Sequence, residues 1–280
     1  MKAKAFAKIN LSLDIVGKRA DGYHLLRTVM QSVSLYDTVW AEKDAGISLS
    51  CTAEGVPLDE KNTAVRAARV FFSETGISGG VQLKIEKKIP MQAGLGGGSA
   101  DAAAVLRLLD ALYETKLSTE ALCRMGEAVG ADVPFCVRGG AALAEGIGEK
   151  LTPLKPMPAC NLVIVRPQEG VCTAAAYALI DRLGQNIPET TDQMLCALRE
   201  GVVPKIGNAL FNAFDYVSNA ASLPAIKAVM KAFGAFGACM SGSGSAVYGI
   251  FAPDDLHAEQ CRKALQAQYG TAFLCHPVGE

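Results

Sequence analysis

The sequence predicts an α+β fold in two domains. Strand-like and helix-like patterns are mixed along the chain without regular βαβ repetition. Half of the 280 residues are apolar, enough for a sizeable core, and the length suits two domains. A stretch with three prolines in eight positions, TPLKPMPA, divides a segment 1–152 from a segment 159–280.

The elements follow in order. Residues 3–16 alternate well enough for a long strand, and GKRADGY at 17–23 is turn chemistry centred on Asp21-Gly22. Residues 25–40, rich in Val, Thr and Tyr, predict one or two further strands, and 47–51 another. Residues 62–75 have helical periodicity, with Asn62 or Thr63 as cap and Gly76 as stop. A strand over 81–87 leads into a glycine-rich loop over 90–98. An apolar helix over 99–113 starts near Ser99, and a second helix covers 118–129. Residues 130–152 predict a strand, a loop and a hairpin. Beyond the prolines come a strand (161–165), a helix (174–183), and helical pattern over 190–200, 206–219 and 222–233. A strand pair, 235–240 and 246–251, encloses SGSGS, and a helix (254–268) and a strand (271–275) end the chain.

Composition excludes several classes. Lys and Arg total 27 against 28 Asp and Glu, so no basic excess serves a nucleic-acid backbone. No apolar run approaches the ~18 residues of a membrane span. The N-terminus has no apolar signal core, so a cytoplasmic protein is expected. Nine scattered cysteines without a CxxC pair predict free, mostly buried thiols in a reducing compartment. Zinc is not expected, because the three histidines (His24, His257, His276) lie far from any paired cysteines.

The main chemical signal is PMQAGLGGGSADAAAVL at 90–106. Four glycines stand within five positions, followed at once by a helix. Glycine allows a ligand to approach the backbone closely, and a helix start offers free N–H groups and a positive dipole end. Together they suit a polyphosphate. Ser99 adds a hydroxyl as helix cap, able to reach a phosphate or a metal. The plainer alternative is a tight strand-to-helix turn. No Gly-Lys-Ser/Thr follows, so this is not a Walker A loop, and the dinucleotide fingerprint is incomplete. SGSGS at 241–245 is by itself a hairpin turn; beside a phosphate loop it becomes a candidate for the same site.

Three segments then add up: AKINLSLDIVGKRADGYHLL at 7–26, the loop at 90–100, and SGSGS. In order and spacing they resemble the GHMP kinase superfamily across almost the whole chain. AKINL, DGYH and GADVPF at 130–135 resemble one branch closely, the kinases that act on a cytidine diphosphate-linked methylerythritol in the non-mevalonate route to isoprenoid precursors. The Gly-Glu-His element of galactokinase-like and mevalonate-kinase-like chains is absent.

The resemblance implies an N-terminal domain like ribosomal protein S5 domain 2, a ferredoxin-like C-terminal domain, and an active site in the cleft between them. It implies that ATP, with Mg²⁺, phosphorylates the substrate's 2-hydroxyl. It assigns catalysis to Lys8 and Asp132. Asn10, Tyr23, His24 and Tyr177 would bind the substrate, the aromatic rings and imidazole holding the cytosine. Pro90, Met91, Gln92, Ala93, Gly94, Leu95, Gly96, Gly97, Gly98, Ser99 and Ala100 would form the ATP phosphate loop. Gly242, Ser243 and Gly244 would add the third ATP motif. Ser99 is also the candidate metal contact, and Asn62, Thr63 and Lys88 are adenine candidates. The family's Asn-x-Leu/Phe-Glu element reads Asn212-Ala213-Phe214-Asp215, with Asp in place of Glu, and is treated as structural and tolerant.

A carboxylate placed at a tertiary alcohol can accept its proton, and an ammonium favours the alkoxide-like oxygen. Positioning and charge neutralisation carry most of the rate if the transition state is loose. Taken alone, Lys8 reads equally as a solvent-facing strand lysine, and Asp132 as a turn or cap residue. Rival functions are a GHMP kinase for another alcohol, which would not need the aromatic pocket, and a non-catalytic ligand-binding member, which would have lost Lys8, Asp132 or the glycines. An RNA-binding module is disfavoured by the near-neutral charge, and a nicotinamide oxidoreductase by the incomplete fingerprint.

Overall fold

The computed structural model describes residues 1–169, 173–183, 187–218 and 220–279. The predicted thiol Cys172 and the first two residues of VCTAAAY lie outside the described residues. No described helix is long and apolar enough to cross a membrane.

Two long antiparallel strands, β1 (Lys2–Lys18) and β2 (His24–Asp44), form the spine of the first sheet. The Asp21-Gly22 turn joins them, with Gly22 N–H bonded to Arg19 O at 3.0 Å. The far edge of β2 is shared. Its C-terminal half pairs with β4 (Gly80–Glu86), which carries β3 (Ile47–Cys51) in parallel. Its N-terminal half pairs with β5 (Ala141–Gly146), whose hairpin partner is β6 (Lys150–Leu154). β6 thus runs into the proline-rich stretch.

Helix α1 (Thr63–Thr75) starts on Asn62, whose Oδ1 accepts the Ala64 N–H at 2.9 Å, and stops at Gly76 in the left-handed region. Helix α2 (Gly97–Tyr113) is buried almost all round between α1 and the sheet. A run of alanines (Ala100, Ala102, Ala103, Ala104) allows that close approach. Helix α3 (Thr119–Glu127) falls within the predicted 118–129 and is capped by Ser118, whose Oγ accepts the Ala121 N–H. A short helix, α4 (Val133–Arg138), follows where the sequence predicts a strand. VPFCV is apolar on every side and too short to show a helical period.

The second sheet is fully antiparallel, in the order β11 (Ala272–Cys275), β7 (Asn161–Val165), β10 (Val247–Phe251), β9 (Gly237–Met240). Helices α5 (Thr173–Leu183), α9 (Ser222–Ala232) and α10 (Leu256–Tyr269) cover one face. Alternation along β7 explains the layering. Val163 and Val165 pack with those helices, while Leu162 and Ile164 join the first core.

The predicted helical stretch 206–219 breaks into three pieces. They are α7 (Val203–Asn208), β8 (Phe211–Asn212) and α8 (Ala213–Val217). Tertiary pairing overrides the pattern here: β8 extends to pair in parallel with Ser12 and Leu13 of β1. Helix α6 (Thr191–Glu200) also returns to the first sheet, because Asp14 of β1 accepts the N–H groups of Thr190 and Thr191 at 2.9 and 2.8 Å. The second half of the chain is thereby tied to β1 at two points.

Candidate functional site

The site is built on one face of β1. Of the four polar residues Lys8, Asn10, Ser12 and Asp14, the first two share the site face of β1; a register shift between Asn10 and Ser12 turns Leu13 to that face and sends Ser12 and Asp14 to the other, toward Thr190 and Thr191. All four are buried, because the second half of the chain covers them. Buried polar groups need partners, and these form a relay. Lys8 Nζ donates to Asn10 Oδ1 at 2.8 Å, and Asn10 Nδ2 donates to Thr28 Oγ1 at 2.8 Å. Thr28 in turn donates to the Ser12 carbonyl. Breaks in the β1–β2 register flank Lys8 and Asn10, a common device for re-aiming side chains beside a site.

Lys8 Nζ lies 3.5 Å from Asp132 Oδ2, with the lysine buried and the carboxylate one-third exposed. Asp132 stands at the N-cap position of α4, yet its side chain makes no capping bond. It is left to face the ammonium. Burial first, and Asp132 second, push the neighbouring Cys136 thiol up to about 12, so that thiol stays neutral.

The glycine-rich loop lies across β1, with the Lys8 N–H bonded to the Leu95 carbonyl at 3.0 Å. Two of its glycines are demanded by position. Gly94 has φ +74°, and a Cβ there would stand 1.9 Å from the Ser241 carbonyl oxygen. Gly96 has φ +69°, and its Cβ would meet Lys8 Cγ at 2.9 Å. Gly96, not Ser99, is the N-cap of α2, and no side chain caps this helix. Ser99 is its third helical residue. The first-turn N–H groups therefore remain open to a ligand.

Two cavities meet at this loop. The first, about 360 Å³, is lined by Pro90 through Ser99, with Lys61, Asn62 and Thr63 opposite and Lys87 and Asp101 beneath. Lys88 is not on its wall; Lys87 is. Ala100 is buried inside the helix. The second, about 340 Å³, is lined by Lys8, Asn10, Thr28, Asp132, Thr173 and Tyr177, with Leu13, Leu26 and Phe214 as an apolar flank. Gly94, Gly96 and Ser99 belong to both. Gly242 and Ser243 line the second cavity, and Gly244 lines neither. Ser243 Oγ is 2.8 Å from Thr173 Oγ1.

His24 and Tyr177 come together, their rings stacked at 4.4 Å and 18°. Phe214 meets the Tyr177 ring edge-on at 4.9 Å. Burial, with Asp132 second, holds the Tyr177 phenol above its ordinary pKa. Tyr23 is instead exposed, at 61 %, and does not line the cavity. Asp181 of α5 clasps the pair to the first sheet, accepting from Lys18 Nζ and bonding His24 Nε2, both at 2.7 Å. Lys18 first, then His24, hold its carboxyl below the ordinary carboxylate value.

Beneath the first cavity, Lys87 is buried between Asp37 and Asp101. Asp37 also accepts the Lys88 and Ile89 N–H groups, which fixes the chain entering the loop. Burial pushes the Asp101 carboxyl up to about 7 against the pull of Lys87, and its Oδ1 has no protein partner.

Sequence reasoning missed Thr28, Thr173, Asp181, Lys87 and Asp101. For two of these a signal exists. Thr173, Tyr177 and Asp181 stand four residues apart on α5, so choosing Tyr177 already names its neighbours on that face. Thr28 depends on strand register, which the sequence does not display.

The GHMP kinases N terminal domain model matches residues 62–140, and the GHMP kinases C terminal model matches 194–271. A 4-diphosphocytidyl-2-C-methyl-D-erythritol kinase of Clostridium botulinum (strain Alaska E43 / Type E3) is 41% identical over 281 residues, spanning 99% of this chain and 100% of that one. Its counterpart from Caldicellulosiruptor saccharolyticus is 44% identical over 256 residues, 90% of this chain and 88% of the relative. A crystal structure of 4-(cytidine 5'-diphospho)-2C-methyl-D-erythritol kinase superposes over 100% of both chains, with a TM-score of 0.83 and 35% identity. The L. major mevalonate kinase, solved in complex with R-mevalonate, covers 100% of this chain and 97% of its own at TM-score 0.77 and 19% identity, a likeness of fold alone.

Proposed function

The chain belongs to the GHMP kinase family, in its 4-diphosphocytidyl-2-C-methyl-D-erythritol kinase branch, and from that premise we propose that it transfers the γ-phosphoryl group of ATP to the 2-hydroxyl of 4-diphosphocytidyl-2-C-methyl-D-erythritol. The observation that carries the reading is the Lys8–Asp132 pair at 3.5 Å, beside a glycine loop shared by two cavities. One cavity takes the nucleotide, the other takes the acceptor, and the phosphoryl group crosses at Gly94–Gly96.

ATP lies in the first cavity, with its adenosine toward Asn62 and Thr63. Its phosphates sit over the open N–H groups of Gly97, Gly98 and Ser99, where the helix dipole favours negative charge. The acceptor lies in the second cavity, its cytosine against the His24–Tyr177 stack and its methylerythritol toward Lys8, Asn10 and Asp132. Stacking on aromatic faces gives a base both area and orientation. Tyr23, exposed and off the cavity wall, takes no part in that stack.

As the oxygen–phosphorus bond forms, Asp132 takes the hydroxyl proton and returns it to solvent through its exposed third. Lys8, held by Asn10, offsets the charge growing on the attacking oxygen. ADP leaves with the electron pair of the broken bond. Because such transition states are loose, alignment across the shared loop supplies most of the acceleration.

The residues fit a metal that arrives on the nucleotide. Among the described residues no cluster of three His, Cys, Asp or Glu side chains could hold a metal unaided. The Asp101 Oδ1, buried without a partner below the phosphates, and the Ser99 hydroxyl are the groups that would face Mg²⁺. Bound there, Mg²⁺ would neutralise charge on the β- and γ-phosphates.

The test is ADP release with ATP, Mg²⁺ and a panel of alcohols: the cytidine-linked substrate, methylerythritol phosphate, mevalonate, homoserine and galactose. Turnover confined to the first is expected. Turnover of another instead would discard the cytosine pocket and keep the kinase; no turnover of any would discard the kinase reading.

A further inference from the structure

The Asn212–Asp215 element, which the sequence presents as a tolerant structural motif, stands at the junction of the two sheets. We infer that Asn212 and Asp215 are positioning residues that set the SGSGS loop against the phosphate loop and the Lys8 ammonium. The inference rests on the kinase reading above and extends it to side chains that touch neither substrate.

Asn212 lies in β8, paired beside Leu13 on the strand that carries Lys8 and Asn10. It is buried, and its amide is fully used. Nδ2 donates to the Met240 carbonyl at 2.7 Å and to the Gly242 carbonyl at 2.8 Å, while Oδ1 accepts the Phe214 N–H at 2.9 Å. Two carbonyl acceptors on one side and an N–H donor on the other admit only one orientation of the amide. Asp215 completes the grip. Its Oδ2 accepts the Met240 N–H at 3.0 Å and its Oδ1 pairs with Lys227. The end of β9 and the start of the loop are therefore held from β8 and α8, at both the N–H and the carbonyl of Met240.

What the loop touches shows why its placement matters. Ser241 Oγ donates to the Gly94 carbonyl at 2.9 Å, and the Ala246 N–H donates to the Ala93 carbonyl at 3.0 Å. Gly242, at φ +54°, lies so close that a Cβ would stand 3.1 Å from the Gly94 oxygen and 3.4 Å from Lys8 Nζ. Ser243 reaches Thr173 on the acceptor cavity wall. One asparagine thus connects the strand bearing Lys8, the loop pressed on that lysine, and the glycine where the two cavities meet. A loop displaced by about 1 Å would alter the transfer geometry, and misplacement of that size costs about 10²-fold in rate. It would leave the His24–Tyr177 stack alone, since neither ring bonds to the loop.

The decisive variant is Asn212→Asp. It keeps shape and turns two donors into an acceptor facing two carbonyl oxygens. We expect kcat to fall at least tenfold, CDP affinity by calorimetry to stay within twofold, and the melt to remain cooperative. A folded Asn212→Asp protein with kcat within twofold of the parent overturns the inference. So does an equal loss of kcat and CDP affinity, which is the mark of general loosening. Should that variant not fold, Ser241→Ala removes one loop-to-loop hydrogen bond and must show the same split; unchanged kcat there also overturns the inference. Turnover by the parent tests the kinase reading separately, because the positioning claim is read from the ratio of variant to parent.

Discussion

Gly94 and Gly96 are two residues apart and both have positive φ, yet alanine at each should fail differently. At Gly94 the added methyl meets backbone, 1.9 Å from the Ser241 carbonyl oxygen. Neither side can yield by a rotamer change, so the two loops must separate by about 1 Å, to the 3.0 Å that real contacts require. Separation gives up the Ser241–Gly94 and Ala246–Ala93 hydrogen bonds, about 1 kcal/mol each. Left-handed strain adds about 1 kcal/mol. The sum, about 3 kcal/mol, corresponds to a fall in Tm of roughly 6 to 12 °C for a chain of this size. At Gly96 the methyl meets the Lys8 stem at 2.9 Å, and a flexible stem moves aside. Only the strain of about 1 kcal/mol then enters stability, roughly 2 to 4 °C. The ammonium, however, is carried away from Asn10 and Asp132. Gly96→Ala is therefore expected to lose more than about tenfold in kcat with little change in melting, and Gly94→Ala to lose both. Calorimetric melts and steady-state ADP release on both variants check the contrast. A Gly94→Ala protein that melts with the parent, or a Gly96→Ala protein that retains half its kcat, would refute the reasoning.

Other consequences follow from the same geometry. Lys87→Met leaves Asp37 and Asp101 buried without their shared cation, and should cost about 3 to 5 kcal/mol by urea unfolding, as for other broken buried pairs; a loss under 1 kcal/mol would show the triad to be unimportant. Asp181 has a depressed carboxyl, so its stabilising contribution is present above the ordinary value of 3.8 and fades as pH falls through its lower folded value. The Tm difference between parent and Asp181→Asn should accordingly shrink from pH 5 to pH 3; a constant difference would count against the clasp. The exposed Cys196 should react quickly with a thiol reagent at pH 8, and Cys196→Ala should remove that phase, whereas Cys136→Ala should remove none until the protein is unfolded. Rapid labelling of Cys136 in the native protein would contradict its burial.

What the sequence displayed and what it hid divide along physical lines. Local chemistry was legible. Asn62 and Gly76 bound α1 because caps and stops act on neighbouring backbone. The glycine loop was legible because close approach leaves glycine few substitutes. Lys8, Asn10 and Asp132 were legible as members of motifs, and the structure brings all three to one cavity wall. Ser99 was misjudged as a cap because capping preference is a prior about free helices, and here the helix start lies against the floor of a cavity. The helix α4 was read as a strand because the five apolar residues VPFCV carry no period.

The larger failure lies at 206–219, and its cause is instructive. IGNALFNAFDYV has helical spacing, but Asn212 must be extended to pair with Leu13 and to reach two carbonyls 28 and 30 residues ahead of it. A periodicity argument weighs only contacts within a few residues, so it continues the helix through the one position that long-range bonding requires to be extended. The clasp between His24 and Asp181, 157 residues apart, escapes for the same reason. A chain that ties its second half to β1 through β8, α6 and α5 therefore keeps its site-building contacts out of sequence view, while Lys8, Asn10, Asp132 and the glycines on the cavity walls stand in short motifs. The element dismissed as tolerant is the one whose bonds reach both the strand of Lys8 and the loop beside it. Its tolerance is a claim about substitution that Asn212→Asp decides, and local pattern could never have supported that claim.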